Sequence, residues 1–238
     1  TNWYAYAGNN PVLYIDPSGY SFVFNLRDQF DIFLEQAATI YGVENVQELE
    51  LSYTEKKGKI TLNKISNPVE DKVGRALLSI LIESDHELEF NFSERPGGNG
   101  DDLSIRVGLN NNDGKRLSDE ELQSVIIHEA SHSYTNIMGY DGKLMAASSA
   151  NFSVVRGYRE ATAITIEEQF RKEMGYQPRD VEKEGGIGIN GYGFWPWMTS
   201  LPSSNLYGQV HWAAQHNLSL KQGPFIVLDI LEKYNELK

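Results

Sequence analysis

The sequence contains no cysteine among its 238 residues. Disulfide bonds and thiolate metal ligands are therefore excluded, and a metal ion could be held only by histidine, aspartate or glutamate side chains. Because no disulfide is needed, the chain can fold in a reducing or an oxidising compartment. Its length is sufficient for a buried core in one large domain or two small ones.

Basic residues are scarce relative to acidic ones. The chain has 21 lysines and arginines against 33 aspartates and glutamates, which gives a formal net charge of −12 at pH 7. This negative charge repels nucleic acids and anionic membrane surfaces, so we expect neither as a partner.

Long apolar runs are absent as well. The longest apolar stretch, ALLSILI at 76–82, is far shorter than the roughly 20 residues that a membrane-spanning helix requires. The N-terminus lacks the basic and apolar segments of a signal peptide, and its first residue is Thr1 rather than methionine. We therefore expect no membrane span, and we expect the chain to be a processed product or a piece of a longer protein.

Helical and strand patterns alternate irregularly along the chain. Apolar residues at helical spacing predict helices, and alternating apolar and polar residues predict strands. The predicted helices cover 25–42, 68–84, 118–139, 156–174 and 223–236, the predicted strands cover 48–54, 59–65, 86–92 and 103–109, and a loop is expected at 93–102. The mixed order predicts an α+β fold.

Two histidines flank a glutamate in the stretch SVIIHEASHSY at 124–134. His128 and His132 are four residues apart, so on a helix both side chains project from one face and can bind one Zn²⁺ ion. Zinc lowers the pKa of a coordinated water, and a carboxylate beside it, here Glu129, can accept the proton. The alternative is a helix whose two histidines are satisfied by ordinary hydrogen bonds.

A catalytic zinc site needs a third protein ligand and an open position. The segment 158–179 places Glu160, Glu167 and Arg171 on one helical face. A buried carboxylate requires a partner, and a metal ion would supply one. Either glutamate is therefore a candidate third ligand, and the alternative for Glu160 is a solvated helix face.

Two further features bear on substrate binding. A peptide substrate can pair as an extra strand with a sheet edge, and LSIRVGLN at 103–110 is the expected edge strand. The glycine-rich, aromatic segment 185–198 contains Tyr192, a candidate donor for stabilising an oxyanion, and His211 is the alternative donor. Ordinary packing roles compete with both assignments.

The stretch NWYAYAGNNPVLYIDPSGY at 2–20 closely resembles the C-terminal end of the Rhs repeat-associated core, with Tyr20 where that family usually has leucine. The resemblance implies that 1–20 is the tail of an Rhs core, cleaved after Tyr20 with Asp16 as a candidate participant. It also implies that 21–238 is the toxin domain of a polymorphic bacterial toxin. Such a domain would be delivered into target cells by a bacterial secretion system, and its partners would be the Rhs cocoon and a cognate immunity protein.

The segment after the histidine pair is similar to the second helix of zincin toxin domains. The matching residues are Glu160, Glu167, Arg171, Gly175 and the QPR at 177–179, and Glu168 stands where asparagine is usual. The resemblance implies a zincin-like domain with a small mixed sheet and an active-site helix carrying the His-Glu-x-x-His motif. In that reading Glu160 is the third ligand, and Glu167 pairs with Arg171 to support the site.

Together these patterns predict a zinc metallopeptidase toxin that hydrolyses a target-cell protein. Two alternatives are of other classes. One is a non-enzymatic binding or toxin domain whose histidine pair is structural or holds a closed metal site. The other is a nuclease toxin of the Rhs type, against which the negative charge argues.

Overall fold

The computed structural model describes residues 21–66, 72–84, 86–101, 103–139, 152–178 and 226–237. Within these ranges the chain forms a six-stranded mixed sheet and five α-helices. The predicted α+β class is therefore confirmed. No helix in the described ranges has the length and apolar character needed to cross a membrane.

The five predicted helices and four predicted strands are all present, with ends shifted by a few residues. The strands are β1 (Ser21–Phe24), β2 (Glu50–Lys56), β3 (Lys59–Ser66), β4 (Glu87–Ser93), β5 (Asn99–Gly100) and β6 (Ser104–Gly108). The helices are α1 (Arg27–Ile40), α2 (Val73–Ile82), α3 (Asp119–Ile137), α4 (Phe152–Met174) and α5 (Ile226–Leu237), with a short 3₁₀ helix at Val46–Glu48. Two strands, β1 and β5, differ from the prediction, which has no strand at 21–24 and a loop at 93–102.

The strand order in the sheet is β2-β3-β1-β4-β6-β5. Strands β1 and β4 and strands β4 and β6 are parallel neighbours, and the other pairs are antiparallel. The β2–β3 hairpin turns at Lys57 and Gly58, which both have positive φ, at 55° and 79°. Positive φ at both central residues is the property of a type I′ turn, whose twist matches that of paired strands.

The prediction that β6 forms the edge of the sheet is wrong. Strand β5 pairs outside it, with Asn99 opposite Arg106 and Gly100 opposite Ile105. The sequence at 93–102 is typical of a loop because four of its ten residues are glycine or proline, and the backbone pairing of the two residues of β5 leaves no local sequence pattern. The edge of the described sheet at this end is therefore β5.

The core lies between one side of the sheet and the helices. Phenylalanines on β1, β4 and α1 form an aromatic cluster in which the rings of Phe22, Phe24, Phe33 and Phe90 contact one another with centroids 5.0 to 5.6 Å apart. Every residue of α2 is buried, which is typical of a helix that is surrounded on all sides. All of these elements belong to one continuous hydrophobic cluster.

Helix α3 begins at a capping box formed by Ser118 and Glu121. The Ser118 hydroxyl accepts from the Glu121 backbone N–H, and the Glu121 carboxylate accepts from the Ser118 N–H, so the predicted capping box is present. Three acidic residues in the first turn also complement the positive end of the helix dipole. The helix packs against α4, α2 and β6, so the residues of its middle turns are buried.

Helix α4 packs tightly on its neighbours because a glycine faces it. A Cβ atom on Gly74 of α2 would lie 2.6 Å from Cδ2 of Phe170, which is closer than real atoms approach. The missing side chain therefore lets the Phe170 ring sit against α2. This contact fixes α4 relative to the rest of the core, and with it the acidic residues that α4 directs towards α3.

Candidate metal centre

The two histidines of α3 lie together on its buried face. His128 and His132 are each 7% exposed, and their ring centroids are 4.9 Å apart at an interplanar angle of 83°. The spacing of four residues produces this arrangement, because such residues are one turn apart on a helix. The pair therefore presents two imidazoles to one small region.

Glu160 of α4 completes the group. Its Oε2 lies 3.4 Å from Nε2 of His128 and 3.7 Å from Nε2 of His132. One ligand atom from each of the three residues lies within 4.8 Å of the others, and the three could hold a metal ion. Of the two glutamates that the sequence offered as a third ligand, Glu160 is the one that reaches both histidines.

Glu167 lies on the opposite nitrogen of His128. Its Oε2 is 3.0 Å from His128 Nδ1, and its Oε1 accepts from Arg171 Nε at 3.1 Å. Arg171 also donates to the backbone oxygen of Gln177 and lies 3.7 Å from Glu120. An acceptor on Nδ1 keeps the proton on that nitrogen and leaves Nε2 free to coordinate. The predicted pairing of Glu167 with Arg171 is thus observed.

The protonation of the cluster follows from burial and from these contacts. Burial alone lowers the pKa of His128, but hydrogen bonds with Glu160 and Glu167 outweigh it and raise the pKa to about 10. Burial raises the pKa of Glu160, but its hydrogen bonds with both histidines bring it well below its usual range. Burial lowers the pKa of His132. The protonation of His128, His132 and Glu160 therefore depends on their burial and on their contacts with one another and with Glu167.

Glu129 follows His128 on α3 and is also buried. Burial raises its pKa to about 7; the nearby His128 opposes this shift, and Glu160 adds to it. A carboxyl group with this pKa changes its protonation state close to neutral pH. It can therefore accept a proton and release it again under ordinary conditions, which is the property of a general acid–base residue.

The donor set fits zinc. Two imidazole nitrogens and one carboxylate oxygen are the protein ligands of one common class of catalytic zinc sites. All three residues converge on one buried region, and His128 has an acceptor on its remaining ring nitrogen. That acceptor is the usual support of a zinc-bound histidine. Softer metals that prefer sulfur ligands are disfavoured, because the chain has no cysteine.

Two glycines beside Glu129 were not identified from the sequence as residues of the site. A Cβ atom on Gly98 would overlap the Glu129 carboxyl group, and one on Gly100 would overlap the backbone oxygen of the same residue. Arg159 Nη2 donates to the Gly100 carbonyl at 3.4 Å. The segment around β5 therefore lies directly against α3 next to the group formed by His128, His132 and Glu160. The only trace of this in the sequence is the cluster of glycines in PGGNG at 96–100.

Several predicted residues lie outside the described ranges. These are the two candidate oxyanion donors, Tyr192 and His211, the glycine-rich segment 185–198, and the tail 1–20 with its expected cleavage point after Tyr20. Their assignments stay predictions. His86, which the sequence places at the start of a strand, is exposed just before β4.

Comparisons with protein-family models, with curated proteins and with solved structures find no match to this chain. The buried histidines His128 and His132 with Glu160 nevertheless form a group that could bind a metal ion. The described residues thus form an α+β fold with a candidate metal centre between helices α3 and α4.

Proposed function

We propose that the chain is a zinc-dependent hydrolase that cleaves peptide bonds. His128, His132 and Glu160 would hold the ion, and Glu129 would act as the general base. The observation that carries the proposal is the convergence of three ligand atoms within 4.8 Å of one another, with the buried glutamate Glu129 on the helix that carries both histidines. A bound zinc ion supplies Lewis acidity, which polarises a carbonyl group and makes water nucleophilic near neutral pH.

Glu129 has the proton-transfer role. Its carboxylate takes a proton from the attacking water and later gives it to the leaving amine. In the metal-free protein burial raises the pKa of Glu129 to about 7, and a bound zinc ion would lower it by favouring the carboxylate, which is the form that accepts the proton. Glu129 directly follows His128 on α3 and is buried, so its backbone is held next to that of a proposed ligand.

Glu167 and Arg171 orient the site without touching substrate. Glu167 accepts from His128 Nδ1 and is itself held by Arg171. Arg171 is anchored in turn to the chain after α4 through the Gln177 carbonyl. This chain of contacts fixes the imidazole plane of His128, and rigidly held ligands preserve the geometry that catalysis needs.

The peptide specificity and the biological role rest on the two sequence resemblances. The zincin-like pattern supports a protein substrate, which would add a strand at the outer edge of the sheet, now assigned to β5 rather than β6. The Rhs-like tail at 1–20 supports a secreted toxin that acts inside a target cell. A cognate immunity protein would protect the producer, and Tyr192 or His211 would stabilise the oxyanion.

The test compares the wild type with Glu129→Gln, a near-isosteric change that removes the base. Zinc content is measured by elemental analysis, activity by release of peptides from dye-labelled casein, and toxicity by expression in cells with proteomics of newly formed protein termini. Glu87→Gln on β4 is the matched control, because it makes the same change at an exposed site. We expect Glu129→Gln to retain one zinc ion and to lose about 10²- to 10⁴-fold of the activity.

Two results would contradict the proposal. A Glu129→Gln variant that keeps its zinc and stays fully active would exclude hydrolysis by this site. A wild-type protein that binds zinc but neither cleaves casein nor generates new termini in cells would favour the alternative, a closed metal site in a non-enzymatic binding or toxin domain.

A further inference from the structure

The segment 97–101, which we call the glycine strap, runs between β6 and α3 next to the metal centre. It contains β5 and three glycines, Gly97, Gly98 and Gly100. The proposed function assigns it no role beyond that of a sheet edge. On α3, the atoms that lie nearest to the Cβ positions of Gly98 and Gly100 belong to Glu129.

Position 98 requires a glycine because there is no room for a side chain, and not because of its backbone conformation. Within the strap, only Gly97 has a positive φ, at 78°, so residue 98 has a backbone that any amino acid adopts. A Cβ atom at position 98, however, would collide with the Oε1, Cδ and Cγ atoms of Glu129. The bare backbone of Gly98 is therefore packed along the outer half of the Glu129 side chain.

The strap itself is held from its other side and at its end. A Cβ on Gly108 of β6 would lie 2.5 Å from Gly97 O and 2.7 Å from Arg95 O, so a second missing side chain lets the strap lie directly on β6. At its end, Asp101 Oδ1 accepts from the backbone N–H groups of Leu103 and Ser104 at 2.9 and 2.7 Å. These contacts hold the strap in place against β6.

We propose that Gly98 is a positioning residue, whose bare backbone packs against the Glu129 side chain and restricts the directions that its carboxyl group can take. A glutamate has several rotatable bonds, and an unconfined carboxyl group would sample a wider range of directions. The strap narrows that range without contributing a side chain that could compete for the site. The catalytic meaning of this contact rests on the proposed function, whereas the contact does not.

The contact is tested in the full chain, freed of metal with a chelator, by a double-mutant cycle on thermal unfolding. Gly98→Ala is made in the wild type and in Glu129→Ala, which removes all three atoms that the new methyl group would strike. We expect Gly98→Ala to lower the melting temperature clearly in the wild type and to have little effect in Glu129→Ala. Equal losses in both backgrounds would overturn the proposal.

Gly58→Ala is the matched control for this cycle. Gly58 has a positive φ of 79° and no atom within 4 Å of a Cβ placed on it, so its substitution introduces strain that is unrelated to Glu129. Its effect on the melting temperature should be the same in both backgrounds. Coupling between positions 58 and 129 as large as that between 98 and 129 would show that the cycle reports general destabilisation, and would also overturn the proposal.

The catalytic part is tested with the zinc-loaded protein and dye-labelled casein. A displacement of about 1 Å at a reacting group costs roughly 100-fold in rate, so we expect Gly98→Ala to lower kcat by about that factor, with KM and zinc stoichiometry nearly unchanged. A fully active Gly98→Ala beside an inactive Glu129→Gln would overturn the positioning role and leave the proposed function intact. Coupled unfolding in a protein that has no hydrolytic activity would instead overturn the proposed function and leave the packing contact intact.

Discussion

The substitution Glu167→Gln tests whether Glu167 orients His128 in the candidate metal centre. The carboxylate of Glu167 uses one oxygen for His128 Nδ1, at 3.0 Å, and the other for Arg171 Nε, at 3.1 Å. A glutamine of the same shape has only one oxygen, and its NH₂ group would face whichever donor lost its acceptor. One buried donor is therefore left unsatisfied, next to a residue that we assign as a metal ligand.

The expected loss of zinc affinity follows from the loss of one hydrogen bond. A hydrogen bond to a charged group contributes about 1.5–3 kcal/mol, and each 1.4 kcal/mol corresponds to about a tenfold change in Kd. We therefore expect zinc to bind Glu167→Gln about 10- to 100-fold more weakly than the wild type, which agrees with the usual effect of removing a residue that supports a ligand. Kd is measured by competition with a chromophoric chelator.

Glu173→Gln on the same helix is the matched control. Glu173 also uses both oxygens, one for the Val73 N–H and one for Gln169 Nε2, but it does not contact the histidines. It should lose stability in urea denaturation and keep the wild-type zinc Kd. If Glu167→Gln bound zinc as tightly as the wild type, or if both variants weakened binding equally, the orienting role of Glu167 would be refuted.

Three further predictions concern the ligands and the core. Glu160→Gln should reduce zinc stoichiometry at micromolar ion concentrations, as measured by elemental analysis after dialysis, because the charged third ligand is lost. The pKa of His128, about 10 without metal, means that below this pH zinc must displace a proton. Zinc affinity should therefore rise as the pH rises, by up to about tenfold per unit between pH 6 and 7.5, and calorimetry in buffers of different ionisation enthalpy should detect proton release; an affinity that does not vary with pH would contradict the shift. Gly74→Ala should destabilise the fold by about 1–3 kcal/mol in urea denaturation through overlap with Phe170, and a neutral effect would show that α4 can move away.

Features determined by neighbouring residues could be predicted from the sequence. The start of α3 follows from Ser118 and Glu121, which lie within one turn of each other. The shared face of His128 and His132 follows from their spacing on that helix. For these features the chain needs only local hydrogen bonds and helical geometry, so the sequence pattern and the structure agree.

Features determined by contacts between distant segments were predicted less completely. The spacing of Glu160 and Glu167 placed both on one face of α4 without deciding which of them reaches the histidines, because that depends on how α3 packs against α4. Only the resemblance to zincin toxin domains favoured Glu160, the residue that the structure places beside both histidines. The position of β5 next to β6 depends on Gly108, which leaves room for the Gly97 and Arg95 carbonyl groups, and its position against α3 depends on Gly98 and Gly100, which leave room for Glu129. Such contacts depend on missing side chains, and a glycine in a sequence does not reveal what will occupy the space beside it.

The β2–β3 hairpin has a practical use that follows from the strand order. Five inter-strand spacings separate β2 from β5, and at about 4.8 Å each they place β2 roughly 24 Å across the sheet from β5, the strand that lies against Glu129. The turn at Lys57 and Gly58 is solvent-facing. A short epitope or fluorophore-labelling peptide inserted there would report on the folding of the protein while leaving the end of the sheet beside the candidate metal centre untouched.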